Sequence, residues 1–235
     1  FADERRGWVV GSNGTVLYTD NTGSTWSLQM RDATKSWNDV AVMKTQALVT
    51  SGEFLGQEVY MVVIVGAGGF VTSSVDFGRT WIQRRAMFDS RLGLLSISFV
   101  DHLYGWTAGE RGLILKSTDG GVSWNRQGEG LSSENLNSIF FLNREKGWAV
   151  GDNGTVLVTS DGGNVWERVL PCMFASNIRL NDIKVSVQLG WGWIAAENGA
   201  ICRSDLKGQI WTSESLPGGD AIKAIEISGI DFPIA

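Results

Sequence analysis

Five copies of one short pattern constrain this chain more than any other feature of it. KSTDGGVSW at 116–124 carries Ser117, Asp119, Gly121 and Trp124, and the same spacing recurs as Thr159, Asp161, Gly163 and Trp166 and as Ser74, Asp76, Gly78 and Trp81. TDNTGSTW at 19–26 puts Asn21 at the acidic position, and SDLKGQIW at 204–211 keeps only Ser204, Gly208 and Trp211. The tryptophans, Trp26, Trp81, Trp124, Trp166 and Trp211, stand 55, 43, 42 and 45 residues apart. A period near that length, built from short apolar segments, is the mark of a β-propeller blade.

The repeat is longer than the box. Nineteen residues before four of those tryptophans stands Gly-Trp, at Gly7-Trp8, Gly105-Trp106, Gly147-Trp148 and Gly192-Trp193, with Val62-Val63 in the remaining copy. A further glycine follows seven residues on, at Gly14, Gly69, Gly112, Gly154 and Gly199. GWAVG (147–151), GTVLVT (154–159) and the run from Trp166 then form a meander with glycine turns. A fourth strand precedes each, at WNDVAV (37–42), LLSISF (94–99), LNSIFF (136–141), LNDIKV (180–185) and IKAIEI (222–227).

The sequence therefore predicts one all-β domain over 1–235, a β-propeller of about five four-stranded blades. The blades are 7–31 plus 221–232, 36–85, 92–128, 135–170 and 178–214. Phe1 aligns with Phe141, so pairing of the N- and C-terminal segments closes the ring and leaves no open edge. A chain that is a piece of a larger propeller is the other reading. About twelve extra residues near 45–58 lengthen the second blade, either as a contact loop or as a tolerated insertion.

Composition agrees with many short strands: 30 glycines and 11 tryptophans against 3 prolines in 235 residues. The net charge of −5 argues against nucleic acid as a partner. The longest apolar run, 60–71, is too short for a helical membrane span and is broken by glycines.

In a sharp turn an aspartate accepts hydrogen bonds from backbone N–H groups that the ladder leaves over, glycine takes positive φ, and the tryptophan fills the space beside it. Asp76, Asp119 and Asp161, with the five box tryptophans, are accordingly expected to be structural. A calcium loop needs several oxygen ligands close together and a phosphate loop needs its lysine and a helix, and the boxes supply neither. No metal and no cofactor is expected.

These residues resemble Asp-box repeats, and the longer unit G-W-x-V-G-x-x-G-x-h-x-x-[ST]-x-D-x-G-x-x-W, where h is apolar, resembles the photosystem II stability and assembly factor family. The resemblance covers most of the chain and is weakest in the Gly-Trp segment of the second blade. It implies a non-enzymatic propeller of the thylakoid lumen or periplasm, or a secreted one, that helps to assemble the photosystem II reaction centre. Members are described as seven-bladed with an arginine-rich patch, whereas five repeats stand here.

Asp boxes also occur in sialidases and glucan-cleaving hydrolases, so an enzyme must be sought in site residues. The Arg-Ile-Pro tripeptide of sialidases is absent, and FPIA at 232–235 does not replace it. No pair of carboxylates stands out for glycoside hydrolysis. His102 is the one histidine, which excludes a His-rich metal site. No catalytic residue is assigned.

A binding role leaves more. The loops opposite the boxes gather Arg84, Arg85, Arg91 and Arg111 on blades 2 and 3, with Arg126 near the outer strand, and guanidinium forks suit carboxylates on a protein partner. The competing reading is a solvated face balanced by Asp89, Glu110 and Glu129. Cys202 aligns with Leu17, Leu115 and Leu157 as an apolar filler, with a bridge to Cys172 as the alternative. Trp37 and Trp191 break the repeat, as exposed contacts or as buried exceptions. The reading is a non-catalytic protein-interaction or assembly module whose partner is a protein, a membrane complex among the candidates. A carbohydrate-binding or glycoside-hydrolysing propeller and a permanent subunit of a larger complex are the alternatives.

Overall fold

The computed structural model describes residues 1–46, 58–86, 91–170, 177–205, 211–215 and 219–226. All its ladders are antiparallel meanders. The first sheet has three strands, β1 (Gly7–Val10), β2 (Val16–Thr19) and β3 (Ser27–Met30). Four sheets of four strands follow in order. They are β4 (Trp37–Gln46), β5 (Glu58–Gly66), β6 (Phe70–Ser74) and β7 (Ile82–Arg85); β8 (Leu94–Phe99), β9 (Gly105–Gly109), β10 (Ile114–Ser117) and β11 (Asn125–Gln127); β12 (Leu136–Phe141), β13 (Gly147–Gly151), β14 (Val156–Thr159) and β15 (Glu167–Val169); and β16 (Leu180–Ser186), β17 (Trp191–Ala196), β18 (Ala200–Asp205) and β19 (Trp211–Ser215). The chain divides into two compact units, Phe1–Thr107 with Leu115–Arg126, and Ala108–Ile114 with Gln127–Ala235.

The inner strand of each four-stranded sheet begins at the expected residue. The extra residues of the second blade lengthen its first hairpin, where β4 and β5 pair as far as Gln46 opposite Glu58; residues 47–57 lie outside the described part. One expectation differs. Residues 222–226 carry no strand, and β1 has no inner neighbour among the described residues. The segment is held from one side by side chains and has no ladder partner to make it a strand.

Those side chains show how successive sheets are tied. In β4, β12 and β16 the register slips after the first residue, leaving Asn38, Asn137 or Asn181 as a bulge. A bulge takes a residue out of the ladder and re-aims its side chain. In the first unit Asn38 Nδ2 donates to the Leu94 carbonyl at 2.7 Å, and Asp39 Oδ2 accepts from Ile97 N at 2.8 Å. In the second unit Asn137 Nδ2 donates to the Leu180 carbonyl at 2.9 Å, and Asn181 Nδ2 to the Ile222 carbonyl at 2.7 Å. Asp182 Oδ2 accepts from Ile225 N at 3.0 Å. Residues 222–226 therefore occupy the place after the fifth sheet that an inner strand takes elsewhere.

Each unit has its own core. In the first, Trp8 and Val16 pack with Trp37, Tyr60, Val62 and Ile64 of the next sheet. In the second, Trp148, Val156 and Val158 pack with Ile183, Val185, Ile194, Cys202 and Trp211. The Gly-Trp tryptophan is thus the filler between consecutive sheets. Trp37, one of the two tryptophans outside the repeat, is a core residue at 3% exposure, while Trp191 is exposed. Cys202 is buried as an apolar filler would be, but it is also disulfide-bonded, as the bridged alternative has it. The chain's other cysteine, Cys172, lies outside the described residues.

Candidate functional site

The box end of each of the first four sheets is a hydrogen-bonded turn. Asp76 Oδ1 accepts from Thr80 N at 2.9 Å and from Ser74 Oγ at 2.7 Å, and Oδ2 accepts from Thr80 Oγ1 at 2.6 Å. Asp119 repeats this with Ser123 and Ser117, and Asp161 with Val165 N and Thr159 Oγ1. Asn21 does the same work without a charge, accepting from Thr25 N at 3.0 Å and donating to Thr25 Oγ1 at 2.8 Å. With their oxygens so engaged, these carboxylates serve the turn. Trp124 and Trp166 are buried beside their turns and Trp211 is buried, whereas Trp26 is exposed. Trp124 Nε1 donates to the Gly121 carbonyl at 3.1 Å, while the ring nitrogens of Trp81 and Trp166 are buried without a partner.

Burial disfavours ionisation of Asp76 and Asp119, but hydrogen bonds from Thr80 and Ser123 outweigh it, so both titrate below the ordinary aspartate value. In Asp161 the Val165 N–H is the largest influence and again the net direction is downward. A carboxyl depressed by folding contributes stability above its unfolded pKa that is lost as pH falls through the folded one. The melting temperature is therefore expected to hold above about pH 5 and to fall below about pH 4, near the unfolded aspartate value. Asp119→Asn, which mimics Asn21, should flatten that fall. Equal acid slopes for the variant and the parent would count against the box as the titrating device.

At the opposite end the arginines separate. Arg84 and Arg85 are successive residues of β7 and so project from opposite faces of the sheet. Arg85 lies over the Phe70 ring at 4.3 Å and donates from Nη1 to the Gly68 carbonyl at 3.2 Å. Lys35 Nζ stands 4.0 Å from the same ring. Phe70 thereby holds two cations in the first unit, a pair that no repeat pattern signals because Lys35 sits in an inter-sheet loop. Arg84 makes a long contact from Nη1 to Ser73 Oγ at 3.5 Å. Arg91 and Arg126 are exposed in the first unit, and Arg111 is exposed in the second.

Arg111 has φ of 54°, in the left-handed region that Asn13 and Asn153 occupy at the same repeat position. That conformation costs a long side chain on the order of 1 kcal/mol. Its N–H donates to Asn135 Oδ1 at 3.2 Å, which helps to hold the turn. Among the described residues no group of three or more His, Cys, Asp or Glu is placed to hold a metal, and no helix is long and apolar enough to cross a membrane.

The family model for photosynthesis system II assembly factor YCF48 matches residues 29–132 and 128–228. Among solved structures, YCF48 from Cyanidioschyzon merolae is 17% identical, covers 91% of this chain and 83% of its own, and superposes with a TM-score of 0.53. A YCF48 bound to a D1 peptide is 19% identical, with 91% and 79% covered and a TM-score of 0.47. At such identity the first of these likenesses is one of fold, a propeller-like all-β arrangement. No curated protein gives a significant match. Because the two family matches together run from residue 29 to 228, the chain belongs to the photosynthesis system II assembly factor YCF48 family.

Proposed function

We propose that this chain is a non-catalytic protein-binding module that acts in the assembly of photosystem II, and that it meets its partner through the arginine-bearing end opposite the boxes. The family match over 29–228 carries the assembly role. The thylakoid lumen is the compartment that role implies. The reading of one propeller of about five blades goes with it.

Arg85 and Lys35, both close over the Phe70 ring, supply positive charge on a preorganised apolar base, suited to a carboxylate beside an apolar side chain. Arg84, Arg91 and Arg126 extend the positive field in the first unit, and Arg111 bears charge in the second, on a turn whose positive φ Asn13 and Asn153 share.

A D1 peptide is the natural probe, since one YCF48 was solved with such a ligand. Fluorescence anisotropy should show binding that weakens with salt, and Lys35→Glu with Arg85→Glu should weaken it by about tenfold or more. Arg84→Glu, on the other sheet face, should cost less. Unchanged affinity in the double variant would move the site elsewhere, and a parent protein that ignores the peptide would overturn the partner class.

A further inference from the structure

The turn between β16 and β17 departs from its counterparts. In the other sheets with a Gly-Trp strand, this turn is capped by a polar side chain. Asp3 Oδ1 accepts from Arg5 N and Arg6 N, Asp101 Oδ1 from Leu103 N and Tyr104 N, and Asn143 Oδ1 from Glu145 N and Lys146 N, all between 2.7 and 2.9 Å. The fifth sheet has Ser186-Val187-Gln188-Leu189-Gly190-Trp191 instead. Gln188 takes the cap position, and Leu189 N donates to Ser186 Oγ at 3.2 Å and Gly190 N to the Val187 carbonyl at 3.1 Å. Val187 is 60% exposed, Leu189 55% and Trp191 39%.

Leu189 thus stands where the other tips have Glu4, His102 or Arg144, and Trp191 where they have Arg6, Tyr104 or Lys146, while Val187 falls at a position that is apolar in them too, as Ala2, Val100 and Leu142. Single exposed apolar residues need no explanation, but three within five residues on a convex turn do. Arg203, exposed on β18, lies over the Trp191 ring at 4.5 Å, and Lys184 follows on the same sheet face, opposite Trp193 and in line with Arg203. Asp205 stands across from Trp191, so the neighbourhood has no strong net charge.

We propose that this tip is a shallow membrane-interface anchor, in which Val187 and Leu189 enter the acyl boundary of a bilayer while Trp191 and Arg203 lie at headgroup depth. Aliphatic tips backed by an indole and a guanidinium match the layered polarity of that boundary. A fluid bilayer accepts a small convex tip without a complementary groove, whereas a protein hot spot is a well-packed, water-excluding pocket. The weak balance of charge suits a zwitterionic surface. This inference is independent of the arginine end.

The test is sedimentation of the full chain with phosphatidylcholine vesicles, together with quenching of tryptophan emission by brominated phosphatidylcholine. The parent should partition onto vesicles, Val187→Ser with Leu189→Ser should lower the partition coefficient at least about fivefold, and Trp191→Phe should remove most of the quenching. Both variants should melt as the parent does and keep the parent's affinity for the D1 peptide, which separates this proposal from the functional one. A parent that stays in the supernatant, or a double variant that partitions equally, overturns the anchor. Loss of a protein complex in the double variant without any vesicle binding by the parent assigns the tip to a protein face and also overturns it.

Discussion

Truncating Trp148 to alanine is expected to lower stability by about 3–5 kcal/mol, the cost of a large core aromatic whose site cannot collapse. Trp148 is 1% exposed and fills the space between β13 and the fifth sheet with Val150, Ile183 and Ile194. The same ring carries a buried N–H that has no partner. Trp148→Phe therefore gives up area but no hydrogen bond, and should cost less than about 2 kcal/mol. In a chain of this size each kcal/mol is about 2–4 °C in melting temperature, so the two variants should separate by several degrees. A phenylalanine as damaging as the alanine would show that shape, not apolar volume, decides the site. Because the chain has two compact units, midpoints from several probes are the safer comparison.

The second large effect is expected at Gly151. Its backbone is extended, with φ of −164°, so left-handed freedom is not the issue. Space is. A Cβ there would overlap the Asn135 carbonyl and approach Leu136 Cα at 3.0 Å, and that carbonyl is fixed by accepting from Asp152 N at 2.9 Å. Gly151→Ala should cost about 3 kcal/mol or more, because the clash is with backbone already committed to a hydrogen bond. Gly11 stands at the same repeat position in the first sheet, where a Cβ would meet nothing within 4 Å. Gly11→Ala should fall within about 0.5 kcal/mol of the parent. Denaturant midpoints for the pair check this directly, and a tolerated Gly151→Ala would mean that the inner strand yields more readily than its hydrogen bonds imply.

The contrast between these two glycines shows why a repeat is an incomplete guide. Both are written identically in the repeat, yet the first sheet has no described inner strand to crowd Gly11. The asparagines of WND, LNS and LND were in plain sight at strand starts, but their acceptors lie 41 to 56 residues away, in the next sheet for Asn38 and Asn137 and in the segment 222–226 for Asn181. Spacing brought Arg84 and Arg85 together as one patch; the pleat sends them to opposite faces and pairs Arg85 with Lys35 through Phe70.

Sequence alone determined the strands other than the one expected at 222–227, the turns and the boxes, because each answers a local demand. Positive φ favours glycine or asparagine, orphan turn N–H groups need an oxygen a few residues away, and a half-buried strand needs alternation. Only the tertiary structure decided which residues meet across sheets: Trp37 in the core and Trp191 at the surface, Cys202 in a disulfide, two cations on one ring. Those outcomes depend on how segments about forty residues apart pack against each other, and residue type at one position does not encode its neighbour at that distance.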